Sequence, residues 1–201
     1  EVAVPVSTIA QLLSNLSRVV MGWKHIDWKA ALRFLVLAVP FTILGSFGFA
    51  KAPHAPMTIV LCCFLIVFSI MKLRGKMRLP NTRATMIIGG GVTGFINGLL
   101  GISGPISSAV FMTLDLAPVC YIASEATTAA VMHIVKAVVY GKLNLLDGNI
   151  FLSGVLIGCA MMVGNFIAMR CIRNVDKNFY RKVVAIIMIV VSLCLIIMQL
   201  R

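Results

Sequence analysis

The sequence predicts an all-α polytopic membrane protein with about six spanning helices, one re-entrant broken-helix segment and an inverted repeat. Three observations lead there. The 201-residue chain is 60% hydrophobic and only 12% charged, with a mean hydropathy of +1.03. A soluble domain of this length cannot hide so much apolar surface. Stretches 34–50, 150–169 and 183–200 carry no charge, as does the shorter 57–71; the longer ones approach the roughly 20 residues that span a bilayer. Finally, residues 86–118 form an apolar, Gly-rich run interrupted by Gly101-Ile-Ser-Gly-Pro105.

Taken in order, the segments are A (3–21), B (32–50, with Pro40 expected to bend it), C (57–72), D (84–117), E (118–140), F (150–169) and G (183–200). The net charge of +12 would fit nucleic acid, but the basic residues sit in short loops between apolar segments, as orientation signals do. No nucleic-acid partner is expected; the bilayer is. Arg18, Lys24, Lys29 and Arg33 surround loop A–B against one acid, Asp27. Loop C–D carries Lys72, Arg74, Lys76, Arg78 and Arg83, and loop F–G carries Arg170, Arg173, Lys177, Arg181 and Lys182. The positive-inside rule places all three in the cytoplasm. That requires D and E together to make one net crossing, so D is expected to be a re-entrant hairpin of two short helices meeting at Gly101–Pro105. Trp23 and Trp28 flank loop A–B, where interfacial tryptophans belong.

Six cysteines lie in or at the ends of these segments without CxxC spacing. They read as packed apolar thiols, and neither a metal site, a disulfide framework nor a cofactor is expected.

Segments A–C and E–G look like two copies of one unit in opposite orientations. Asn15-Leu-Ser-Arg18 aligns with His133-Ile-Val-Lys136. The first repeat is 1–72, an incomplete set of three spans; the second is 84–201, the hairpin plus three spans. Inverted repeats with a broken helix near the midplane are a transporter plan, with substrate held at the repeat interface. Segment D lacks a partner before A, so an N-terminal hairpin is expected to be missing from this sequence.

Helix A has a polar stripe of Ser7, Thr8, Gln11, Ser14, Asn15 and Arg18 within about a third of its circumference. Such a stripe faces protein or water, serving either interhelical hydrogen bonds or substrate. Arg18 could alternatively snorkel to the headgroups. Helix E repeats the pattern with Ser124, Glu125, Thr127, Thr128, His133 and Lys136. Intramembrane ionisable groups are functional candidates by default, although Glu125 could merely complement a helix N-terminus. Gly90, Gly94 and Gly98 have GxxxG spacing and read as a packing seam. At the break, the helix after Pro105 would aim its positive end at an anion. Ser103, Ser107 and Ser108 would add hydroxyls, and Arg18 or Lys136 the charge. The expected substrate-binding set is Gln11, Asn15, Arg18, Gly101, Ser103, Gly104, Ser107, Thr128, His133 and Lys136, with a small anion as ligand.

The run Gly90-Gly-Val-Thr-Gly-Phe-Ile-Asn-Gly-Leu-Leu-Gly-Ile-Ser-Gly-Pro105 resembles the Gly-rich segment of the TauE/SafE sulfite-exporter family. A looser match is Gln11-Leu-Leu-Ser-Asn15-Leu-Ser-Arg18 followed by His25-Ile-Asp-Trp28. The resemblance covers essentially the whole chain. It implies a multi-pass permease of the bacterial inner membrane moving sulfite, organosulfonates or similar anions, commonly outward, and no enzyme activity. Ser103 stands where the family usually has Gly, which would alter the cradle. The alternative is an intramembrane serine protease, since Gly101-Ile-Ser-Gly104 also resembles the rhomboid GxSG motif, with His133 as base. The repeat counterpart of His133 is Asn15; a binding site built from two repeats accounts for that symmetry and a catalytic dyad does not.

Overall fold

The computed structural model describes residues 2–51, 63, 66–67, 70, 80–101, 104–114, 116–172, 186 and 190. Every regular element among them is helical: α1 (Ala3–Gly22), a 3₁₀ turn (Trp23–His25), α2 (Trp28–Lys51), α3 (Arg83–Leu100), α4 (Gly104–Phe111), a second 3₁₀ turn (Met112–Leu114), α5 (Pro118–Lys142) and α6 (Gly148–Ile172). The chain divides into two compact units, Glu1–Lys51 with Leu79–Ile167, and Ala52–Arg78 with Ala168–Arg201. The first contains everything discussed below. In the second, positions 63, 66–67, 70, 186 and 190 are helical; otherwise segments C and G lie outside the described residues.

The helix ends follow from local chemistry. Asp27 Oδ1 accepts from the Ala30 N–H at 3.0 Å, so α2 starts earlier than the apolar pattern alone suggests. Thr82 caps α3 through the Thr85 N–H, and Asp147 caps α6 through the Ile150 N–H. Pro118 opens α5, where a missing N–H costs nothing. Helix α2 continues through Pro40.

Helix α2 packs chiefly on α3, and α1 on α5. A Cβ added to Gly90, Gly94 or Gly98 would strike the carbonyl oxygens of Phe34, Ala38 and Thr42 respectively. One added to Gly45 would strike the Phe95 carbonyl. The GxxxG row is thus a packing seam where two backbones touch, as its spacing predicts. Thr42 and Ser46 point their hydroxyls back to the carbonyls of Ala38 and Thr42, so neither is left unpaired in the seam.

Around an apolar core, the first unit sets buried polar side chains inside and large apolar ones outside. Lys136, Asn97, Thr128 and Ser107 are fully buried, while Val36 is 60% and Leu156 64% exposed. That inversion suits a molecule whose solvent is hydrocarbon. Helices Trp28–Ala50, Val119–Lys142 and Gly148–Ala168 are long and apolar enough to cross a membrane. Trp23 and Trp28 are exposed and meet edge-to-face at 5.3 Å, at the joint between α1 and α2. Among the described cysteines, Cys63 and Cys159 are free and exposed and Cys120 is half-buried, so none is packed in the core as expected.

Gly94→Ala is expected to lower stability by about 1–3 kcal/mol through overpacking, seen as a lower Tm in detergent. Gly164→Ala, where an added Cβ meets nothing within 4 Å, should hold Tm or raise it slightly. Equal responses at the two positions would contradict the seam.

Candidate functional site

Helix α3 stops at Leu100 because Gly101 turns left-handed, with φ 78° and its N–H donating to the Asn97 carbonyl at 2.9 Å. Helix α4 then starts at Gly104, and Pro105 brings no N–H with which to continue the previous helix. Ile102 and Ser103, between them, lie outside the described residues. The expected break is therefore present.

A helix end in apolar surroundings leaves carbonyls that must be met. Two side chains of α5 reach across. The Tyr140 hydroxyl donates to the Gly98 carbonyl at 3.3 Å, and Lys136 Nζ is a second donor to the Asn97 carbonyl, at 3.3 Å, beside the Gly101 N–H. A cation here also complements the negative end of α3. The ammonium lies 5.7 Å from the centre of the Tyr140 ring, which adds a cation–π attraction.

The start of α4 borders an open cavity of about 280 Å³. Gly104 and Ser108 of α4 line it together with Gln11, Ser14, Asn15 and Arg18 of α1. Glu125 and Ala129 of α5 and Met161 of α6 complete the wall. An Arg18 guanidinium NH₂ donates to Asn15 Oδ1 at 2.7 Å, while its Nε is buried without a partner. Behind the wall, the Ser107 hydroxyl is 2.6 Å from Glu125 Oε1 and 3.2 Å from the Gly104 carbonyl; the shorter contact is the stronger. A larger cavity of about 380 Å³ between α1 and α6 is walled by Ala3, Val6, Ala10, Ile157 and Met161, with only Ser7 and Gln11 polar. It offers an ion no charge, so the smaller cavity is the chemically competent one.

A family model, the sulfite exporter TauE/SafE, matches residues 1–195. The chain belongs to the TauE/SafE family. No curated protein and no solved structure matches it. Family and apolar helices together make this a transmembrane transport protein, and the protease alternative gains no support.

In this TauE/SafE protein, the expected residues separate into groups. Gln11, Asn15, Arg18 and Gly104 meet at the open cavity, with Ser107 one step behind through Glu125. Gly101 and Lys136 lie at the end of α3; a Cβ on Gly101 would be 3.8 Å from Lys136 Nζ. His133 is 1% exposed, neither ring nitrogen has a hydrogen-bond partner, and it sits within electrostatic reach of Lys136 and Arg18. Thr128 is buried and donates to the Glu125 carbonyl within its own helix at 2.8 Å, away from the cavity wall. Ser103 falls outside the described residues.

Two amides escape the sequence pattern. Asn97 was hidden inside the glycine seam, although an amide flanked by Gly and apolar residues is itself a signal. Asn165 of α6 donates its Nδ2 to the Ser14 carbonyl at 3.0 Å, Ser14 Oγ at 2.9 Å and Ser17 Oγ at 3.2 Å. Ser14 of the α1 polar stripe thus serves helix association as well as lining the cavity. Asn165→Ala is expected to destabilise the protein by about 1–3 kcal/mol, lowering Tm in detergent. An unchanged Tm would show that α6 is held to α1 by apolar contact alone.

Proposed function

We propose that this protein exports a small oxyanion, sulfite or a short organosulfonate, across the bacterial plasma membrane, seating it at the Arg18 cavity. One observation carries the reading: the unpartnered Arg18 Nε is a buried charged donor beside a cavity that also receives Gly104, the first residue of α4. A helix N-terminus and a guanidinium with a spare donor are complementary to an oxyanion. Gln11, Asn15 and Ser108 add polar groups suited to fixing its orientation.

Glu125 on the same wall opposes an anion, and Arg18 offsets it in the empty site. An entering oxyanion gains most from the guanidinium and α4 side of the cavity. In this reading 84–117 is the re-entrant hairpin, 1–72 and 84–201 are inverted repeats, and the three basic loops face the cytoplasm. Alternating access then moves one repeat against the other around the broken helix.

Flux of radiolabelled sulfite in proteoliposomes tests the proposal. Arg18→Ala is expected to reduce flux at least tenfold and to erase the preference for sulfite over chloride, and Lys136→Ala to weaken both. Parental flux and preference in both variants would overturn the binding assignment.

A further inference from the structure

Asn97 presents the sharpest unexplained feature of the first unit. Its side chain is fully buried, and neither Oδ1 nor Nδ2 has a hydrogen-bond partner. Leaving a buried amide unsatisfied is costly, and folded chains carry few such groups. His133 shares the condition at both ring nitrogens. It precedes Lys136 by one helical turn on α5, and Lys136 reaches α3 at the carbonyl of Asn97 itself.

The surroundings limit what can satisfy these atoms. The Lys136 ammonium has three N–H donors, and the Asn97 carbonyl takes one. Beside it, Gly101 contributes no side chain, and its missing Cβ would lie 3.8 Å from Nζ. These residues therefore offer an amide NH₂, an imidazole N–H and spare Lys136 N–H donors, and leave Asn97 Oδ1 and the second imidazole nitrogen as acceptors for a water or for the O–H of a protonated oxyanion. That set repels a metal cation and matches the oxygens of a small oxyanion. None of Asn97, Gly101, His133 or Lys136 lines the open cavity.

We infer that Asn97, His133 and Lys136 form a second, occluded oxyanion station at the end of α3, separate from the open Arg18 cavity. The inference rests on the transport reading above and deepens it. The anion is first met by Arg18 at the start of α4 and then passes to Lys136 at the end of α3. His133 is within electrostatic reach of both cations. Asn97 is then a transport residue that leaves the open site untouched.

The test compares sulfite binding by titration calorimetry, sulfite flux in proteoliposomes and Tm for the parent, Asn97→Leu and Asn97→Ser. Asn97→Leu removes both unpartnered atoms at similar volume. It is expected to hold or raise Tm, keep sulfite affinity within about twofold, and cut flux at least tenfold. Should Asn97→Leu not purify folded, Asn97→Ser reads the same contrast, with flux down at least threefold and binding kept. Folded Asn97 variants with parental flux would overturn the second station, as would a sulfite-soaked structure in which water alone meets Asn97. A parent that neither binds nor moves sulfite would overturn the transport reading itself, which separates the two failures.

Discussion

The end of a helix inside an apolar shell is the constraint from which the rest of the site follows. Gly101 turns the chain out of α3, so the carbonyls of the last turn, Gly98 among them, lie where the ladder ends, while that of Asn97 still receives the Gly101 N–H. Hydrocarbon supplies no donor for them, so the protein must. Tyr140 does so for Gly98 from α5, and Lys136 adds a second donor at the Asn97 carbonyl, bringing an amino group into the interior. The same lysine is a buried donor beside the break. In the proposed function, structural capping and attraction of an anion are one electrostatic arrangement viewed from two sides of the break.

The glycine seam makes this arrangement possible. Where Gly90, Gly94 and Gly98 lie on the carbonyls of Phe34, Ala38 and Thr42, α2 and α3 meet backbone to backbone and leave no room between them. The polar face of α3, with Thr93 and Asn97 fully buried, is thereby held inward. Opposite it, α1 and α5 bring Asn15, His133 and Lys136 into the same interior, with Arg18 half-buried at the open cavity. Close packing on one side of the broken helix and polar chemistry on the other are coupled through the same few turns.

Much of this was legible in the sequence, for specific reasons. The glycine period, the Gly-Ile-Ser-Gly-Pro break and the polar stripes of α1 and α5 are local signals, and each appears where its spacing places it. The partition of the stripe residues was not legible, since it depends on which neighbour each side chain meets. Ser14 looks equivalent to Asn15 in sequence, yet Asn165, some 150 positions away, engages Ser14 while Arg18 engages Asn15. Likewise, Lys136 reads as a free ligand until Asn97 is seen to offer it a carbonyl 39 residues distant. Glu125 could have served a helix terminus; instead Ser107 of another helix bonds it at the cavity wall.

The central claim is that an oxyanion occupies the polar interior beside the α3–α4 break. Anomalous diffraction from crystals grown with selenite, a heavier analogue of sulfite, reads this directly. The account predicts a selenium peak within hydrogen-bonding distance of the Arg18 guanidinium, next to Gly104. Selenium found only outside the first unit, with lipid or nothing but water beside Arg18, would contradict it.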